Sequence, residues 1–191
     1  MSQDIHPTGE AVGNWETALQ YLKSGNRRFL DKKPISRELS DEEAKAIKSG
    51  QKPFAVIITC SDSRTAPEIF FDQRHGDLFV IRNAGNIVNE PTLGSVEFAV
   101  EFLKVPLIVV VGHSKCAAVV HAYKGTEVTG NVKTILDTIS PAVKNCKTED
   151  EAIRANADYV AELIKGNEVV KEAGAKVMSA FYSLETGEVT F

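Results

Sequence analysis

No stretch of this chain approaches the roughly 20 consecutive apolar residues that span a bilayer, and residues 1–13 lack the basic-then-apolar order of a secretory signal. Nor is there a lysine or arginine run able to neutralise a row of phosphates: 22 basic residues are scattered among 26 acidic ones, for a net charge of −4. These absences argue against membrane and nucleic acid as partners, and a soluble, cytoplasmic protein is expected. Cysteine is scarce too. Three in 191 residues is an odd number that builds no disulfide framework, and none of them has Cys-x-x-Cys spacing, which disfavours dithiol redox chemistry and leaves metal or single-thiol chemistry. There is no internal repeat and no low-complexity segment.

What is present is a core. A hydrophobic content of 43% over 191 residues suffices for one sizeable interior, so residues 14–191 are expected to form a single domain behind an N-terminal arm of residues 1–13. Asn14 caps a helix whose Trp15, Ala18, Leu19 and Leu22 form one apolar stripe, with an interruption expected near Gly25. Ser40 and Glu43 make a capping box for a short helix ending at Gly50. The runs 54–60, 78–81 and 107–111 are short, β-branched and uniformly apolar, which is the pattern of parallel strands buried on both faces. A helix over about 95–104 separates the second from the third. Further helices are expected over 116–123, over 128–145 with a bend at Pro141, and after the Thr148/Glu151 capping box. A fourth strand over 175–182 turns at Thr186-Gly187 into a short final strand, 188–191. The fold class is therefore α/β: three layers with a central, mostly parallel β-sheet of four strands plus a short C-terminal strand, flanked by α-helices.

In such sheets ligands gather beyond the carboxyl ends of the strands. Cys60 is the last residue of the first strand, and His113 lies just past the third, followed at helix spacing by Cys116 in a first helical turn, where the dipole favours a thiolate. Two sulfurs and one imidazole make the ligand count of a catalytic zinc, which keeps a fourth position for water. His-x-x-Cys alone is a weak signal, because free cysteines often serve as small buried hydrophobes; Cys60 at a matching strand end strengthens it. If the chain stays extended after Cys60, then Cys60, Asp62 and Arg64 share one face. An ordinary ion pair capping the next turn is the alternative for Asp62 and Arg64.

The strings Cys60-Ser61-Asp62-Ser63-Arg64, Phe79-Val80-Ile81-Arg82-Asn83-Ala84-Gly85-Asn86 and Gly112-His113-Ser114-Lys115-Cys116, in that order, resemble the β-class carbonic anhydrases. The resemblance runs from about residue 51 to residue 120, with weaker similarity at Gly25-Asn26-Arg27-Arg28-Phe29 and in the C-terminal strand. It implies one Zn²⁺ per chain held by Cys60, His113 and Cys116, the interconversion of carbon dioxide and bicarbonate, and a homodimer or a multiple of dimers with sites at the subunit interface. It also implies a substrate pocket lined by Gln51, Phe79, Ala84 and Phe98, partly from the neighbouring subunit.

On that reading zinc lowers the pKa of a bound water, less strongly than in a three-histidine site because two thiolates cancel the charge of the ion, so an alkaline-leaning enzyme is expected. Asp62, held anionic by Arg64, orients the hydroxide, while Gln51 donates to a substrate oxygen and Phe79, Ala84 and Phe98 supply apolar walls. If Asp62 leaves Arg64 it becomes a fourth metal ligand and closes the site. Two positions depart from the family pattern: Ala117 stands where glycine is usual, and Phe98 where many relatives have tyrosine. Hydrolysis of carbonyl sulfide or carbon disulfide, and a non-catalytic zinc-bearing bicarbonate sensor, are the alternative functions. His6, His75 and His121 are read as solvated or capping residues, and Cys146 as a free thiol.

Overall fold

In the computed structural model of the protein, residues 12–35 and 38–191 are described; His6 and most of the expected arm lie outside them. Helix α1 (Trp15–Leu30) starts where Asn14 accepts the Thr17 N–H at 2.8 Å. It runs unbroken through Gly25, contrary to the expected interruption. That glycine serves packing: a Cβ there would stand 1.7 Å from the Phe71 carbonyl oxygen. Helix α2 (Asp41–Ser49) carries the Ser40–Glu43 capping box.

Strand β1 (Ala55–Cys60), the short helix α3 (Pro67–Phe70) and strand β2 (Leu78–Asn83) follow. A one-turn 3₁₀ segment, Ala84–Asn86, leads to helix α4 (Glu90–Glu101), which starts five residues before the helix expected from residue 95. The missed signal is Asn89, whose side chain accepts the Thr92 N–H at 3.0 Å ahead of Pro91 in the first turn. Strand β3 (Leu107–His113) includes His113 as its last residue rather than leaving it in the loop. Helix α5 (Ala117–Tyr123) has Cys116 as its N-cap, one position before the first turn where it was expected.

Helix α6 (Asn131–Val143) opens after Gly130, at φ 64°, and passes through Pro141 as one element. Pro141 lies two residues from the helix end, so only the last turn gives up a hydrogen bond and the element is not interrupted. Helix α7 (Glu149–Gly166) is capped by Thr148, while the Glu151 carboxylate reaches Lys147 N–H at 2.7 Å instead of the cap's own N–H. Helix α8 (Glu168–Ala173), unforeseen, starts on the Asn167 cap. Strands β4 (Lys176–Tyr182) and β5 (Val189–Thr190) complete the chain.

The sheet order is β2-β1-β3-β4-β5, parallel except for the β4–β5 pair. Alternate side chains take opposite faces. Val56, Ile58, Ile108, Val110 and Val177 pack with α4, α7 and α8, and Ala55, Ile57, Leu107, Val109 and Val111 with α1 and α3, which gives the expected three layers. The winding reverses between β1 and β3, since β1 is joined to β2 on one side and β3 lies on the other. Their carboxyl ends border the crevice where ligands bind in this architecture. Among the described residues no helix is long and apolar enough to cross a membrane.

Candidate metal centre

The crevice between β1 and β3 brings together Cys60, His113 and Cys116. One ligand atom from each lies within 4.8 Å of the other two, with the sulfurs 3.9 Å apart. His113 and Cys116 are wholly buried and Cys60 is 6% exposed. Backbone geometry makes the convergence: Thr59 pairs with Val111, so Cys60 and His113 leave neighbouring strands together, and the loop 114–116, with Lys115 at φ 58°, folds Cys116 back towards them. Ser114 anchors that loop to β4, its N–H donating to Tyr182 O at 3.0 Å and its Oγ accepting from Leu184 N–H at 2.9 Å.

The histidine is oriented as a ligand. His113 Nδ1 lies 3.0 Å from the Ser114 carbonyl, which can only accept, so the proton sits on Nδ1. Nε2 is left with its lone pair, buried and without a hydrogen-bond partner among the described residues. A buried acceptor without a partner costs free energy that a metal ion recovers. The sulfurs titrate as a pair: the Cys116 thiol donates to Cys60 and draws its pKa down against the opposing effect of burial, with the Gly85 N–H assisting. The same bond, together with burial, holds the proton on Cys116. Two sulfurs and one imidazole nitrogen suit tetrahedral zinc, and three protein donors leave one position open.

Asp62 and Arg64 meet beside this cluster, for a different reason from the one expected. The strand stops at Cys60 and a turn follows, so side-chain alternation does not apply. Asp62 Oδ1 accepts from Arg64 N–H and Nε–H at 3.0 and 2.9 Å, and Oδ2 accepts from the other guanidinium nitrogen at 2.7 Å. The Arg64 guanidinium holds the Asp62 carboxyl well below the usual carboxylate range, and Asp62 in turn raises Arg64. Asp62 is not one of the clustered ligand residues; its carboxylate is turned to Arg64. The turn itself is pinned by Arg82, which donates to Cys60 O at 3.1 Å and Asp62 O at 2.7 Å, and by Thr65, whose hydroxyl reaches the same two carbonyls at 3.0 and 2.9 Å.

The comparisons with known proteins fit this geometry. A family model described as carbonic anhydrase matches residues 55–189. The chain belongs to the β-carbonic anhydrase family. It is 43% identical over 141 residues to carbonic anhydrase 2 of Mycobacterium tuberculosis, an alignment covering 72% of this chain and 66% of that protein. It is 40% identical, over the same coverage, to the carbonic anhydrase of Mycolicibacterium smegmatis. The match thus spans just under two thirds of the length of these relatives. Among solved structures it resembles a β-carbonic anhydrase from Sordaria macrospora described as tetrameric, with TM-score 0.74 and 26% identity, over 90% of this chain and 95% of that one.

Of the four residues expected to line a substrate pocket, Ala84 lies near the triad, immediately before Gly85, whose N–H donates to Cys60 Sγ at 3.4 Å. Phe79 pairs with Val56 while Asn83 pairs with Cys60, so Phe79 begins roughly 13 Å back along the strand. Phe98 stacks on Phe79 at 6.5 Å. Gln51 is exposed ahead of the opposite end of β1. Within one chain these three are not brought to the metal centre. Ala117 is exposed at the start of α5, and His75 is exposed in a turn. His121 Nδ1 lies 3.2 Å from Thr126 Oγ1. Cys146 has no disulfide partner, and its thiol lies 3.9 Å from Ala142 O.

Sequence reasoning missed Arg82, Gly85 and Asn156, which support the cluster from outside. Gly85 had a legible signal, a glycine two residues past a strand end. Asn156 had another, a polar residue on the apolar stripe of α7.

Proposed function

We propose that the protein catalyses the reversible hydration of carbon dioxide to bicarbonate and a proton, with one zinc ion per chain held by Cys60 Sγ, His113 Nε2 and Cys116 Sγ. The observation that carries this reading is the buried convergence of one ligand atom from each of these three residues within 4.8 Å, in a chain of the β-carbonic anhydrase family. Zinc bound there supplies the Lewis acidity that makes hydroxide available near neutral pH. The chain's residues supply orientation. Asp62 Oδ2 accepts one hydrogen bond from Arg64 and keeps a lone pair for the hydrogen of the attacking oxygen, turning that oxygen's own lone pair towards the substrate carbon. Arg64 holds the carboxylate in place with a two-pronged grip that also keeps it anionic. Arg82 and Thr65 fix the backbone on which Asp62 rides.

We assign Gln51, Phe79, Ala84 and Phe98 to the substrate pocket, completed by a second copy of the chain. Supporting this is the apolar surface at the β2 edge: Leu78, Phe79, Val80 and Ile81 are only half-buried, and Phe98 and Phe102 on α4 are 46% and 66% exposed. A single copy leaves these aromatic rings in water; a dimer covers them.

The test is stopped-flow carbon dioxide hydration by zinc-loaded protein, from about pH 6 to about pH 9, alongside zinc content. Turnover rising towards alkaline pH with one zinc per chain is expected. Bound zinc with no turnover at any pH would leave the bicarbonate sensor standing, and turnover only with carbonyl sulfide or carbon disulfide would reassign the substrate. Protein that takes up no zinc would overturn the assignment.

A further inference from the structure

Asn156 lies on the buried face of α7 among Ala152, Ile153, Ala157 and Val160, and is itself 1% exposed. Its Nδ2 donates to Gly85 O at 2.9 Å, while its Oδ1 finds no partner among the described residues. A buried amide oxygen left in that condition costs about 1–3 kcal/mol, and a leucine of similar size would avoid it. Packing alone therefore does not account for asparagine here. What the amide grips is a strained turn. Gly85, at φ 75°, and Asn86, at φ 45°, are consecutive left-handed residues. Asparagine is among the few non-glycine residues that take up this conformation.

Asn83 closes the base of this turn, its side chain donating to Ile87 O at 2.9 Å and accepting from Ile87 N–H at 2.8 Å. Those bonds go to Ile87 and do not hold the two peptide planes of Gly85. At the apex one plane carries the N–H that faces Cys60 Sγ at 3.4 Å, and the next carries the carbonyl that Asn156 holds. Fixing the second plane fixes φ and ψ of the glycine and so aims the first.

We propose that Asn156 is a positioning residue of the metal centre: by holding the Gly85 carbonyl it keeps the Gly85 N–H donating to the Cys60 sulfur, and so sets how much electron density that sulfur gives a metal ion. The proposal rests on the assignment of Cys60, His113 and Cys116 as ligands. A hydrogen bond to a thiolate withdraws charge from it; without that bond the sulfur is the stronger donor but the less well placed one. Outer partners of metal ligands are typically worth about ten- to a hundredfold in metal affinity.

The experiment uses cobalt(II) as the probe, titrated into metal-free wild-type protein, Asn156→Leu, and Asn156→Ala, which demands least of the packing. In the variants the thiolate-to-cobalt absorption band should move to longer wavelength, cobalt affinity should fall about ten- to a hundredfold, and the Gly85 amide proton should move upfield, with the thermal midpoint of at least one variant near that of the wild type. An unmoved band and unchanged affinity in a folded variant would overturn the proposal, and so would weakened affinity with the band and the amide proton unmoved, which marks plain loosening of the fold. If the wild type itself shows no thiolate-to-cobalt band, the ligand assignment fails instead.

Discussion

Arg64 commits its guanidinium to a carboxylate two residues away while 53% of its side chain remains in solvent. An exposed pair of this kind adds little to stability, so its place beside the Cys60–His113–Cys116 cluster points to chemistry. Arg64→Ala should therefore abolish carbon dioxide hydration while leaving zinc content unchanged and the melting temperature within a few degrees; loss of zinc would refute the role. Asp77 gives a prediction of the opposite kind. Burial raises its pKa from 3.8 to about 6, against the pull of the Arg74 N–H that its carboxylate accepts at 2.8 Å. Between those values the folded chain holds a proton that the unfolded chain releases. The contribution of Asp77 to stability is therefore fully present below the lower value and lost as pH rises through the upper one. Asp77→Asn, which can still accept from Arg74, should flatten the pH dependence of unfolding free energy across this window, as read from urea titrations. At this scale the sequence carried Cys60, His113 and Cys116, because strand ends are visible as the limits of apolar runs. Asp62 and Arg64 were legible as a pair, with the turn-capping ion pair as one of two readings, and Asn156 showed only as a polar residue on an apolar stripe, its partner being a backbone carbonyl 71 residues away.

At the scale of elements, glycine was the ambiguous letter. Gly25 resembles a helix breaker in sequence, yet in α1 it marks the point where the helix backbone meets the Phe71 carbonyl, and neighbouring Asn26 binds Phe70 O and Gly187 O, both at 2.9 Å. Gly25→Ala would place a methyl where α1 and the end of α3 now touch. The helix has to move away, giving up contacts of Ala18 and Leu22 with the sheet; a loss of more than about 3 kcal/mol, or failure to accumulate folded protein, is expected on chemical denaturation. The strands β1 and β3 were legible as short β-branched runs buried along their whole length, and β2 as an apolar run that is only half-buried. Helix starts with Ser, Thr or Asn caps followed at once by an apolar stripe were found, whereas α4 and α8 were misplaced or overlooked. Their caps, Asn89 and Asn167, follow segments too irregular to announce a boundary.

At the scale of the whole molecule, the exposed rings of Phe98 and Phe102, 5.2 Å apart, lie on the side of the sheet edge that one copy leaves uncovered. On the proposal that two copies share the pocket, Phe102→Glu should shift the protein towards monomer in light scattering and lower turnover at least tenfold; a variant whose assembly and activity match the wild type would remove this face from the interface. Layer order and strand direction were readable from alternating runs of residues, whereas a pocket formed by Gln51, Phe79 and Phe98 with the metal centre is not made within one chain and rests on the second copy proposed above. The burial of all three ligand side chains beneath α5, α6 and α7 carries a kinetic consequence. An ion held there would have Val119, Ile139 and Ile153 packed around its sulfur ligands. Its loss to a scavenger would then be paced by local opening of the surrounding helices, with a rate that levels off as the scavenger concentration rises.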